Sequence, residues 1–187
     1  MIILAPLFLS IIVGLLRGGS LLSLAQVRFR YGGLILLAVV IQRLIYTSWW
    51  ESVSVLARWT TCVYSLSMLL LVVAVGLNYA LPGLIVLGAG LLLNSIAVWS
   101  NGGHMPASLW ALQTAGFLPA ETDVTAWQLN NSILMNEGTH LGFLCDILAL
   151  PKSWPMPNVF SVGDVLIVVG GIIFTQSVLV PPSRTPA

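Results

Sequence analysis

Apolar residues run in long stretches along this chain, broken by short polar segments. A helix rises 1.5 Å per residue, so crossing a hydrocarbon core of about 30 Å takes roughly twenty apolar residues. Five stretches approach that length, at residues 1–16, 33–48, 58–78, 81–99 and 162–180. The first is the shortest and needs local bilayer thinning or a snorkelling Arg17 to fit, and it reads as a retained helix without a cleavable leader. Trp49 and Trp50 suit the interface at the end of the second. Pro82 fits the first turn of the fourth, where a proline loses no intrahelical hydrogen bond, and Pro181 and Pro182 stop the fifth.

Between the first two stretches, residues 20–31 are apolar on part of their surface yet carry Arg28 and Arg30, which predicts an interfacial helix. Residues 101–161 are too rich in Trp, Phe and Leu to stay solvated. They predict an outer cap of short helices near Ala107–Thr114, Glu121–Leu129 and Thr139–Leu148, separated by turn residues. The fold class predicted is therefore an all-α membrane protein, a single domain with a bundle of about five transmembrane helices and an outer cap.

Composition strengthens this reading. Charged residues are 7% of 187 and mean hydropathy is +0.99, whereas soluble domains carry roughly a quarter charged residues. A net charge of +1 leaves no basic stripe for nucleic acid. The expected surroundings are a lipid bilayer, with a protein partner or a lipid-like ligand. Arg17, Arg28 and Arg30 share one connection and Arg184 lies on the tail, so the positive-inside rule places both in the cytoplasm and the N-terminus outside. Cys62 and Cys145 make no CxxC motif, and a single bridge between them stays open.

The candidate chemistry sits around the cap. In "NGGHMP", Asn101 to Pro106, Gly102 and Gly103 permit a sharp turn and Pro106 presets a following helix; the alternative is an anion-binding nest beneath His104. Asn94 and Asn101, seven residues apart, share nearly one helix face and either fix helix packing or line a polar cleft. Arg43, beside Gln42, either snorkels to the outer interface or turns inward to clamp an anion or Asp164. "SVGD" fits a capping box from Ser161 to Asp164. Asp146 interrupts an apolar run, and with Asp164 it invites the idea of an intramembrane carboxyl pair. His104, His140, Glu137, Asp146 and Cys145 form no recognisable metal motif, and no cofactor is expected. "GAGLLL" is no dinucleotide fingerprint; its glycines, like Gly170 and Gly171, suit close helix packing.

Taken together, "RFRY" at Arg28 to Tyr31, Gln42, Asn94, "NGGHMP", and the run from Leu141 to Gly171 with its "FSVGD" resemble a family of small bacterial integral-membrane proteins of unknown function. The resemblance spans most of the chain. It implies a bacterial cytoplasmic-membrane location and no particular reaction, and Cys145 stands where the family pattern has glycine, against a catalytic thiol. The leading functional expectation is a non-enzymatic membrane protein binding a partner protein or lipid-like ligand through its cap. The alternatives are an intramembrane enzyme or carrier for an anionic amphiphile, using Arg43 with Asp146 and Asp164, and an accessory subunit of a respiratory or photosynthetic complex.

Overall fold

The computed structural model describes residues 4–119, 124 and 126–180. The described residues are mostly helical, with short strands confined to the segment between 105 and 160. In chain order the helices are α1 (Leu4–Leu16), α2 (Leu21–Ala25), α3 (Gly32–Leu44), α4 (Ser48–Ser52), α5 (Ser54–Ala57), α6 (Thr60–Gly76), α7 (Leu84–Ser100), α8 (Leu109–Thr114) and α9 (Val162–Leu179).

The five apolar stretches all yield helices, but the helices are shorter than the stretches. Among the described residues only α9, with 18, is long and apolar enough to cross a membrane by length and composition. The others hold 13 (α1, α3) or 17 residues (α6, α7), roughly 20 to 26 Å at 1.5 Å per residue. Their ends are trimmed by turns. Gly83, at φ 82°, precedes α7 and takes the start of the fourth stretch out of the helix, because that dihedral belongs to no right-handed helix; α3 begins at Gly32 as expected and ends early, at Leu44, with Ile45 as its cap. Pro82 accordingly lies before the cap of α7 and outside its first turn. The interfacial helix expected over 20–31 is reduced to the five residues of α2. Pro181, Pro182 and Arg184 lie outside the described residues.

Pairwise contacts fix the direction of each long helix. Gly83 lies against Gly170 and Gly90 against Gly163, so α7 and α9 run antiparallel. Gly171 meets Leu7 and Gly14 meets Leu179, so α1 and α9 run parallel. The Asn78 amide bonds both backbone groups of Arg30, at 2.7 and 2.9 Å, and Tyr46 meets Tyr64 edge-on at 6.1 Å. These contacts join the start of α3 to the end of α6 and the end of α3 to the start of α6. Arg17, Arg28 and Arg30 thus gather at one end of the bundle, where Arg17 also donates to Gln176 Oε1 at 2.8 Å. The cap sits at the other end.

Glycine makes the central contact close. On α9, a β-carbon added at Gly163 would strike the Asn94 side chain and the Gly90 carbonyl; one at Gly170 would strike backbone of Gly83 and Leu87. Gly88 faces Val75 of α6. Small residues let apolar helices approach where water supplies no driving force between them, and all four glycines singled out in the sequence lie at helix contacts.

The cap is mixed rather than all-helical. Strand β1 (Met105–Ala107) pairs in parallel with β3 (Ser132–Leu134), and β3 pairs antiparallel with β2 (Gln128–Leu129). Strands β4 (Leu148–Leu150) and β5 (Asn158–Phe160) form a separate antiparallel pair. Pro106 therefore belongs to a strand and starts no helix: proline biases Met105 toward extended backbone, and helix α8 begins at Leu109 with Ser108 as its cap. The helix expected over Thr139–Leu148 is replaced by a 3-10 turn at Gly142–Leu144, because Leu141 takes φ 51°. Of the helix expected over Glu121–Leu129, residues 121–123 and 125 lie outside the described residues, and its end forms β2. Both cysteines are free, Cys62 exposed and Cys145 buried.

Candidate functional site

Where α7 ends, the chain reverses over the bundle. Gly102 and Gly103 adopt φ 66° and 88°, and the Gly103 amide donates to the Val98 carbonyl at 2.8 Å. A β-carbon on Gly103 would strike Thr61, so the glycine seats the turn directly on α6. Asn101 then ties the cap down. Its Nδ2 donates to the carbonyls of Ala97 (2.8 Å) and His140 (2.9 Å), and its Oδ1 accepts from the His140 amide at 2.8 Å. Asn101 is a clamp on backbone.

The 3-10 turn delivers Asp146 beside β1. Its amide donates to the Pro106 carbonyl at 2.9 Å and its carbonyl accepts from the Ser108 amide at 3.0 Å, so the backbone is held at both faces of the residue. The side chain is only 8% exposed. Among the described residues its carboxyl has neither a hydrogen-bond partner nor a cation. Burial, and then the charge of Asp164, push its pKa from 3.8 up to about 8, so it holds its proton at neutral pH. The neighbouring Cys145 thiol is pushed up to about 11 by burial and by Asp146.

Asp164 is held differently. Ser161 caps α9, donating from its backbone to Asp164 Oδ2 and accepting from the Asp164 amide, each at 3.0 Å. Asn94 Nδ2 donates to Asp164 Oδ1 at 2.8 Å while Asn94 Oδ1 accepts from the Ser161 hydroxyl at 2.7 Å. The capping box read from "SVGD" is present, and Asn94 extends it across α7.

Both aspartates line one cavity of about 210 Å³ at the junction of bundle and cap, together with Tyr64 and Met68 of α6, Asn94 and Val98 of α7, Met105, Asn131 and Ser132. Its base rests on a buried cluster that includes Met68, Ala97, Val98 and Cys145. Asn131 also borders a second space of about 510 Å³, lined by His104, Tyr46, Thr60, Thr61, Gln128 and Asn130. Here His104 Nδ1 is buried and, among the described residues, has no hydrogen-bond partner, and such an atom in a native protein calls for one; the Asn131 side chain stands against the Tyr64 hydroxyl.

The sequence candidates therefore separate. Asn94, Asp146 and Asp164 converge on the smaller cavity, His104 lines the larger one, and Asn101, Gly102 and Gly103 shape the turn between bundle and cap. Gln42 and Arg43 line neither cavity. Arg43 is exposed in the last turn of α3 and, among the described residues, makes no ion pair; the clamp on Asp164 is absent because Arg43 does not reach the cavity that Asp164 lines. Tyr64 and Asn131 were not singled out in the sequence: one lies within an apolar stretch, and the other looks like ordinary turn chemistry in "NNS". Among the described residues, no group of three or more His, Cys, Asp or Glu stands together to hold a metal ion.

A pair of carboxyls, one buried without partners and one fixed by amides, offers acceptors and no cation among the described lining residues. Such a space suits a ligand that brings hydrogen-bond donors or positive charge. The sequence comparison places the chain among relatives but adds no chemistry. The chain belongs to a family of unknown function, DUF5317. The family model matches residues 26–176, which takes in the cap, the paired glycines and both aspartates. No curated protein and no solved structure matches the chain.

Proposed function

We propose that this is a multi-pass protein of the bacterial cytoplasmic membrane that binds, without chemical turnover, a small donor-bearing cationic group in the cavity beneath its outer cap. The observation that carries the reading is Asp146, a buried carboxyl that has no partner among the described residues and faces a space it shares with Asp164. An ammonium group entering there supplies the missing cation and donors. It favours the ionised carboxyl, so binding releases the Asp146 proton and tightens as the pH rises toward about 8. Asp164 from α9, Tyr64 from α6 and the adjacent Cys145 are the titratable groups that face Asp146.

The membrane part of the reading rests on apolar surface turned outward. Phe8, Leu36, Leu66, Ile85 and Val169, from all five long helices, are exposed, and an apolar surface of that extent belongs in lipid or against a partner. Arg17, Arg28 and Arg30 stand at one end and Arg184 follows α9 in the sequence, against Arg43, Arg58 and Lys152 at the cap end; on that excess of one the positive-inside rule puts the first end in the cytoplasm and the cap outside. Trp110 and Phe143, exposed on the cap, are the surface on which a partner protein would be sought.

The test is thermal unfolding of the purified protein with ethylammonium, ethanol or acetate. Ethylammonium stabilises the wild type, more so near pH 8 than near pH 6, and fails to stabilise Asp146→Asn. Stabilisation by acetate but not ethylammonium would overturn the proposal. A carrier or intramembrane enzyme is the second reading, favoured by two carboxyls held in unlike ways in one cavity, Asp164 by amides and Asp146 by none among the described residues. Arg43, exposed and outside that cavity, takes no part in it.

A further inference from the structure

The polar cavity has an apolar neighbour. A groove of about 300 Å³ runs along α9, between the start of α1 and the β4–β5 pair. Pro6, Leu150, Trp154, Phe160, Val165 and Val169 line it, and Asp164 is its one ionisable lining residue. Asp164 thus borders both spaces, the acceptor-rich cavity and the apolar groove. Trp154, Val165 and Val169 are also exposed, so the groove opens on the same side of the bundle that carries outward-facing apolar residues.

We propose that the ligand is a membrane amphiphile with a primary ammonium head, the head held at Asp146 and Asp164 and the hydrocarbon chain lying in the groove along α9. This rests on the binding reading above and adds the class of ligand. Charge complementarity selects the head: the cavity presents two carboxyls and, among its described lining residues, no cation to receive an anionic head. The groove selects the chain, because its lining offers contact to hydrocarbon and nothing for a polar group to bond. A lipid sliding in from the side needs no passage through the cap.

Trp154 provides the readout. The protein is placed in phosphatidylcholine nanodiscs and titrated with ethylamine, dodecylamine and dodecanol, and with dodecylamine bearing a terminal bromine to quench nearby tryptophan. The bromine-tagged amine quenches fluorescence, and the quench is lost in Trp154→Phe. Each methylene raises the apparent affinity from water about fourfold through partition into the bilayer alone, so occupation of the groove is read from Trp154 quenching and from Val169→Phe. Val169→Phe, on an exposed position that leaves the carboxyls alone, weakens dodecylamine and leaves ethylamine unchanged, whereas Asp146→Asn weakens both amines. If the amines bind in an Asp146-dependent way but Trp154 is not quenched and Val169→Phe changes nothing, the groove assignment is wrong and the cavity reading survives. If dodecanol binds as well as dodecylamine, and Asp146→Asn changes neither, both are overturned.

Discussion

Asp146→Asn should make the protein more stable in mild alkali, the reverse of what loss of a buried polar contact does. The wild-type carboxyl is 8% exposed, with its pKa raised from 3.8 to about 8 by burial and by Asp164. The folded state therefore binds the proton more tightly than the unfolded chain. The stability this contributes is fully present below about pH 4, declines as the pH rises, and is gone by about pH 8. The decline is about 1.4 kcal/mol per pH unit, so roughly 4 kcal/mol disappears between about pH 5 and pH 8. At 2–4 °C per kcal/mol for a chain of this size, Tm falls by on the order of 10 °C over that interval. Asparagine keeps the shape and cannot ionise, so the variant's Tm should be flat across the same range and exceed the wild type's near pH 8. Tryptophan-monitored unfolding in nanodiscs measures both curves. Parallel curves for the two proteins would refute the reasoning, because they would mean Asp146 is ionised or solvated in the folded state.

Four further expectations follow from the same geometry. Gly163→Ala places a methyl group against Asn94 and the Gly90 carbonyl and should destabilise by about 1–3 kcal/mol, while Gly33→Ala meets nothing within 4 Å and should be neutral or slightly stabilising; paired melting curves check both. Ser161→Ala removes the α9 cap and a donor to Asn94 and should cost about 1–2 kcal/mol by the same assay. In the folded protein a thiol reagent should label exposed Cys62 and spare Cys145, whose thiol is buried and pushed up to about 11, with both labelled after denaturation; mass spectrometry of the peptides decides it. A reporter active only in the cytoplasm should work when inserted in the Gly18–Gly19 turn beside Arg17 and fail when inserted at Asn130–Asn131, and the opposite pattern would reverse the proposed orientation.

The helical stretches were legible because lipid-like patterning needs only a count of apolar residues. Their true ends were harder. Gly83 cuts α7 short through a backbone dihedral that hydropathy does not register, and α3 stops at Leu44 inside an apolar run. The cap was misread as all-helical for a related reason: a strand of three residues, such as β1, is too short to display a period, and Leu141 looks like any helix former until its positive φ is seen. At the site, Asp146 and Asp164 stood out as charges among apolar neighbours, and "SVGD" announced its own cap. What the sequence did not disclose was long-range proximity. Asn94 reaches Ser161 and Asp164 across about seventy positions of chain, brought there by the contact of Gly90 with Gly163. Arg43 was conspicuous for the same reason as the aspartates, yet it sits at a helix end where exposure satisfies it.

The most direct test is the proton on Asp146. The infrared carboxyl band in the difference between wild type and Asp146→Asn reports it, followed by titration with and without ethylammonium. A protonated-carboxyl band is expected at pH 7, fading as the pH rises through about 8 and removed at lower pH by ethylammonium. A band already absent near pH 6, or one that ethylammonium leaves untouched, would contradict the proposal.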